Sequence, residues 1–169
     1  MSATSWTTAW TAAGERMIVE RKQLTDYVKY RYISNGPGDG AVVIATDGGL
    51  TLFIDIYRPS VDRRLLELPR GQAEALDAGP IATAERELIE ETGYGLVDPQ
   101  HLGQIFSDTG LCGDAANVVR GQVSSNRQPA AEFAELHWLS ASQIDAHIAS
   151  GRIRDGLSLA ALALSRVNP

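Results

Sequence analysis

Apolar and polar positions alternate along this chain in ways that separate strands from helices. MIVERKQL and YVKYRYI, between Arg16 and about Ser34, are rich in β-branched and aromatic residues and part at the polar Thr25-Asp26 step, which predicts a hairpin. NGPGDG is a run of turn formers. After it, AVVIATDGGLTLFIDIYR reads as two apolar strands joined by Asp47-Gly48-Gly49 and closed by Pro59. Residues 61–79 show little periodicity and hold several turn formers, so a functional loop is expected there. Pro80 suits the first turn of a helix, Ile81, Ala84 and Leu88 recur at helical spacing, and Gly93 stands where a left-handed cap would end it. Short strands are expected near 101–106, 115–123 and 133–139. A helix follows from about Ser140, and a second, LSLAALALSRV, places Leu157, Ala161 and Leu164 on one side. Strands on both sides of a central helix predict an α/β fold with a mixed sheet.

Composition narrows the picture without changing it. The 169 residues suit one compact domain, expected over 39–169, preceded by a β extension over 1–38. The net charge of -6 offers no basic footprint for a nucleic-acid backbone, so no nucleic-acid partner is expected. Cys112 is the sole cysteine, which excludes an intramolecular disulfide and fits a reducing compartment. The first residues lack the basic and apolar regions of a signal peptide, and no stretch approaches the roughly 20 apolar residues of a membrane helix. A cytoplasmic protein without a membrane partner is expected. Trp6 and Trp10, four apart in a polar arm, are expected to pack on another surface, of this domain or of a second subunit. His101, His137 and His147 are scattered without ligand spacing, and Cys112 has no histidine near it in sequence, so these read as structural residues.

The chemistry concentrates in Glu85-Arg86-Glu87-Leu88-Ile89-Glu90-Glu91-Thr92-Gly93-Tyr94. On a helix, Glu87, Glu90 and Glu91 span an arc of roughly 100°, so three carboxylates share one face. Crowded like charges are destabilising unless something offsets them. A divalent cation does so, and Mg²⁺ or Mn²⁺ prefers such hard oxygen ligands, with phosphate oxygens completing its shell. Arg86 can orient a neighbouring carboxylate as a bidentate partner. A Glu-rich helix is more often a solvated face, but this one follows a strand and a Gly/Pro-rich loop and ends in a glycine cap, as a rigid platform would.

Arg86-Glu87-Leu88-x-Glu90-Glu91-Thr92-Gly93-Tyr94 resembles the second half of the Nudix box, G-x5-E-x7-R-E-U-x-E-E-x-G-U, where U is an aliphatic or bulky apolar residue. The upstream half departs from it. Gly71 stands one residue too far from Arg86, and counting back from Arg86 puts Ala78 at the glutamate position, with Asp77 beside it. Either Asp77 replaces that glutamate or the interaction is lost. IDIYRPSVDRRLLELPRG is similar to the strand and loop entry of the ADP-ribose and ADP-sugar pyrophosphatase branch, and residues 16–167 can be laid on that branch. SDTGLCGDAAN lacks the Ser-Pro-Gly often found there.

The resemblance implies an α/β/α Nudix fold, a homodimer joined through N-terminal strands, and Mg²⁺- or Mn²⁺-assisted attack of water on a nucleoside diphosphate sugar. It implies metal held by Glu87, Glu90, Glu91 and the main chain at Arg70-Gly71, with substrate at Arg58, Glu67 and Arg70. Arg86 is expected among the catalytic residues, and the general base is one of Asp114, Glu132 and Glu90. Arg70 stands where a small residue is usual before the box glycine. Tyr27 and Tyr32 are candidates to stack on a base. Other nucleotide substrates (a GDP-sugar, a dinucleotide, an oxidised nucleoside triphosphate) and nucleotide sensing without turnover are the alternatives.

Overall fold

The computed structural model describes residues 5–12, 14, 17–34, 36–130 and 135–168. Among these described residues are ten strands, β1 (Thr7–Thr11), β2 (Met17–Gln23), β3 (Val28–Ser34), β4 (Gly40–Asp47), β5 (Leu50–Arg58), β6 (Arg63–Glu67), β7 (Arg70–Gly71), β8 (Leu96–Phe106), β9 (Ala115–Val123) and β10 (Glu135–Leu139). Three helices accompany them: α1 (Pro80–Thr92) between β7 and β8, and α2 (Ala141–Ala149) and α3 (Gly156–Val167) after β10. Strands β1 to β3 form a separate antiparallel sheet. The main sheet runs β10-β5-β4-β9-β8, with β6 on β5 and β7 on β4. It is mixed, because β4 and β9 are parallel while the other pairs are antiparallel.

The period of two along β4 explains the layering. Val42 and Ile44 join Phe53, Ile144, Ile153 and Ala161 in a core against α2 and α3, whereas Ala41, Val43 and Ala45 join Leu52, Ala84 and Leu88 in a core against α1. A central strand buried on both faces therefore reads as a continuous apolar run. The result is an α/β/α sandwich with α1 alone on one face. The hairpin at Asp47-Gly48-Gly49 is as expected, with Gly48 at φ 53° and Gly49 at φ 84°.

Two expectations need correction, and a third gains detail. Residues 61–79 are not simply a loop: β6 pairs with β5 from Ile54–Glu67 to Arg58–Arg63, and β7 pairs with β4. These strands are short, and β6 begins with two exposed arginines, so neither shows a period. Strand β8 starts at Leu96, well before His101. Pro99 lies inside it at a register shift on the sheet edge, where a missing N–H costs little and the sequence looks like a break. In the polar arm, residues 7–11 form β1 against β2. Trp6 packs under the Arg31 guanidinium at 4.4 Å from its ring centre, while Trp10 remains 53% exposed.

Candidate active site

Helix α1 is shaped by two glycines. Gly79, at φ 136°, turns the chain into Pro80, and Gly93, at φ 80° and ψ -1°, closes it by donating its N–H to the Ile89 carbonyl at 2.8 Å. Ala84 and Leu88 are buried as expected, but Ile81 stays exposed. Burial of Leu88 sets the helix phase, and that phase turns Glu87, Glu90 and Glu91 toward β7 and the loop after it. Glu91 is buried and accepts the Arg70 N–H at 3.1 Å. Gly71 lies so close to Glu87 that a Cβ there would meet its carboxylate at 2.1 Å. Absence of a side chain at Gly71 thus opens a cradle between the Arg70-Gly71 main chain and Glu87.

Arg86 ties this platform together. It donates to Glu87 and Glu90, at 2.9 Å each, to the Gln72 carbonyl at 2.6 Å, and to Asp77 through Nε at 3.2 Å and through a terminal nitrogen at 3.1 Å. The Arg86 hydrogen bond holds the Asp77 carboxyl down at about 2 against an ordinary 3.8. Asp77, not Ala78, therefore stands in for the glutamate of the box. A turn between Glu74 and Asp77, with their main-chain bond at 3.0 Å, absorbs the extra residue. One guanidinium here lies within 4 Å of four carboxylates, those of Glu74, Asp77, Glu87 and Glu90, with Glu91 beside them. That imbalance, formed by hard oxygen donors beside the Arg70-Gly71 main chain, fits a divalent cation. Another group, Asp55, Glu135 and His137, has ligand atoms within 4.8 Å of one another. Asp55, however, already pairs with Arg64 at 2.8 Å and Arg152 at 2.5 Å, so its charge is compensated.

A cleft of about 580 Å³ opens beside this platform, with Gly71 and Gln72 on its near wall and Tyr32, Arg58, Arg70 and Asp114 around it. Glu67 lies behind the two arginines, 1% exposed, bound to Arg58 at 2.7 Å and Arg70 at 3.0 Å. Burial alone would lower the Arg58 pKa, but the Glu67 carboxylate raises it above its ordinary value and keeps the charge in place.

The family model of the NUDIX domain matches residues 35–160, which include the whole of this platform and most of the cleft. The chain belongs to the Nudix family. It is 28% identical over 137 residues to a methanol dehydrogenase activator of Bacillus methanolicus, covering 78% of this chain and 74% of that protein. Against an ADP-ribose pyrophosphatase of Bacillus subtilis (strain 168) it is 27% identical over 114 residues, 68% of this chain, and it spans only 61% of that enzyme. A solved structure described as an ADP compounds hydrolase superposes with a TM-score of 0.73 over 98% of this chain and 95% of that one; at 17% identity this speaks for the fold.

Around the Nudix helix, the structure brings together Arg58, Glu67, Arg70, Gly71, Arg86, Glu87, Glu90, Glu91 and Asp114. Asp114 lines the cleft, where one of its oxygens accepts the Ser34 N–H at 2.7 Å. Glu132 lies outside the described residues. Two residues that sequence reasoning left aside also belong here. Asp155 caps α3 by accepting from the Ser158 N–H at 2.9 Å and hydroxyl at 2.8 Å, and it comes within 3.4 Å of Arg70. Its helix-start position was one signal, and the I-x-x-G-x-I-x-D pattern ending at Asp155, which resembles the family's, was another. Cys112 is not mere packing: it lines the cleft against Tyr32, whose phenol its hydrogen bond pushes above the ordinary range. That contact depends on a bridge between β3 and the loop before β9, which no local pattern announces.

Proposed function

We propose that the chain hydrolyses the diphosphate linkage of a nucleoside diphosphate sugar of the ADP-ribose or ADP-sugar type, releasing a nucleoside monophosphate and a sugar phosphate. The observation that carries this reading is the carboxylate cradle at Glu87, Glu90, Glu91 and the Arg70-Gly71 main chain, beside a cleft with two fixed guanidiniums. The likeness to an ADP-ribose pyrophosphatase supports the substrate class. Those cradle residues would hold Mg²⁺ or Mn²⁺, which supplies charge neutralisation on the diphosphate and a lower pKa for the attacking water.

The chain's own residues do the rest. Arg58 and Arg70, oriented by buried Glu67, bind phosphate oxygens bidentately. Arg86 keeps Glu87 and Glu90 in place and spends Glu90's charge on an ion pair, which disfavours Glu90 as the base. Asp114 and Glu132 remain to accept the proton of water. Loss of the true base in an Asp114→Asn or Glu132→Gln variant removes the acidic limb of the pH–rate profile; the other variant retains it.

The homodimer belongs to this reading as well. Trp10, Val28 and Tyr30 share one face of the β1–β3 sheet by register with Arg21 and Gln23 and are all exposed, an amphipathic surface suited to a second copy. No helix among the described residues is long and apolar enough to cross a membrane. The test is release of nucleoside monophosphate from a panel of ADP-sugars, GDP-sugars, dinucleotides and nucleoside triphosphates, with Mg²⁺ and with EDTA. Metal-dependent AMP release from ADP-sugars alone is expected. Preferred turnover of GDP-sugars or triphosphates would move the substrate class, and nucleotide binding without any turnover would replace the enzyme reading by a sensor.

A further inference from the structure

Four arginines, Arg58, Arg63, Arg70 and Arg154, line a second cleft of about 570 Å³ between the β5–β6 turn and the start of α3. It runs into the first: Arg58, Arg70, Asp155 and Gly156 line both. The two carboxylates of this second cleft are already committed. Glu67 binds Arg58 and Arg70, and Asp155 accepts from the Ser158 N–H and hydroxyl while lying 3.4 Å from Arg70. Arg63 and Arg154, in contrast, have no carboxylate partner among the described residues; Arg154 donates from Nε to the Gly151 carbonyl. Two positive charges are therefore left over at a concave site walled on one side by Val61 and Leu65.

Such a site is built for an anion with several oxygens. Guanidinium forks match phosphate geometry, and Arg is the side chain that makes paired bonds to it. A carboxylate would satisfy one fork. A phosphomonoester, with three terminal oxygens and nearly two charges, uses both free guanidiniums and the inner pair. We propose that the second cleft is a phosphate-binding subsite continuous with the substrate cleft, formed by Arg63 and Arg154 on the outside and Arg58 and Arg70 on the inside. If the diphosphate sits over α1, the group reaching this subsite belongs to the far half of the substrate, so the subsite selects nucleoside diphosphate derivatives that carry a further phosphate. This deepens the hydrolase reading and rests on it for the identity of the substrate, though not for the binding itself.

Calorimetric titration with inorganic phosphate in EDTA, at low ionic strength, tests the site apart from metal and turnover. The wild-type protein is expected to bind phosphate, and the Arg63→Gln/Arg154→Gln double variant to bind it at least about 10-fold more weakly, the scale of one charged hydrogen bond. Both residues are exposed, so the fold is expected to persist, with an unchanged melting curve as the check. Absence of phosphate binding to the wild-type protein, or equal binding by the variant, would overturn the proposal. KM values for ADP-ribose and for ADP-ribose phosphorylated on its terminal ribose then separate the two sources of the phosphate. A KM lower for the phosphorylated compound, in the wild type but not in the variant, assigns the site to the substrate. Equal values with phosphate binding retained assign it to free phosphate. Phosphate binding without turnover of any nucleotide would sink the hydrolase reading alone.

Discussion

Asp77 shows how one residue can preserve a site while the spacing around it changes. It is a methylene shorter than the glutamate of the box and stands one residue off when counted from Arg86, yet it makes two bonds to that guanidinium. Removal of an orienting partner outside the ligand set commonly costs 10–100-fold in metal affinity or activity, and Asp77→Asn is expected to fall in that range, measured as kcat and as Mg²⁺ dependence. The same pair gives a pH signature. A carboxyl held at about 2 against 3.8 when unfolded contributes stability that is whole above pH 3.8 and is lost as pH falls toward 2. The gap in melting temperature between wild type and Asp77→Asn should therefore narrow across that interval. A constant gap would show that the charge of Asp77 has no part in holding the loop. Glu91 belongs to the proposed cradle itself: Glu91→Gln keeps the size and the bond from the Arg70 N–H, so the fold should persist while turnover drops at least about 10²-fold. Turnover near that of the wild type would remove Glu91 from the metal site.

Elements matter here through what they place side by side. Helix α1 can present its carboxylates to β7 only because Gly71 has no side chain, and Gly71→Ala would drive a Cβ into Glu87. Loss of most metal-dependent turnover is expected in that variant, with a melting temperature shifted far less than by Leu88→Ala, which empties a fully buried position and costs about 2–5 kcal/mol. Equal shifts would mean that Gly71 serves the fold and not the site. The helix itself was legible in the sequence from Pro80 to Gly93, because a first-turn proline, a capping glycine and helical apolar spacing are local signals. So were β4 and β5, whose apolar runs flank a Gly-Gly turn. Strands β1, β6 and β7 were not, since their pairing is decided by partners far along the chain and their own residues are short or polar. The same holds for the Arg70–Asp155 contact, which joins residues 85 positions apart.

At the scale of the whole molecule, the fold divides labour between two sheets. The main sheet and α1 build the carboxylate platform, while the β1–β3 sheet reaches the cleft at Tyr32 and leaves Trp10 53% and Tyr30 48% exposed. Sedimentation should find a dimer that Trp10→Ser/Tyr30→Ser converts to monomer; a wild-type monomer at micromolar concentration would discard the dimer. Charge at this scale matters as well. The net charge of -6 is compatible with an anionic substrate because the arginines at 58, 63, 70 and 154 gather at the clefts, as the lining of the second cleft shows. On the proposed function, this molecule splits a diphosphate with water and a divalent cation. The most direct test is ³¹P NMR of ADP-ribose turned over in ¹⁸O-water, with Mg²⁺ or with EDTA. The diphosphate signals are expected to give way to AMP and a sugar phosphate, one of them carrying ¹⁸O, and to persist with EDTA. Products that form equally in EDTA, or a diphosphate that stays intact with Mg²⁺, would contradict it.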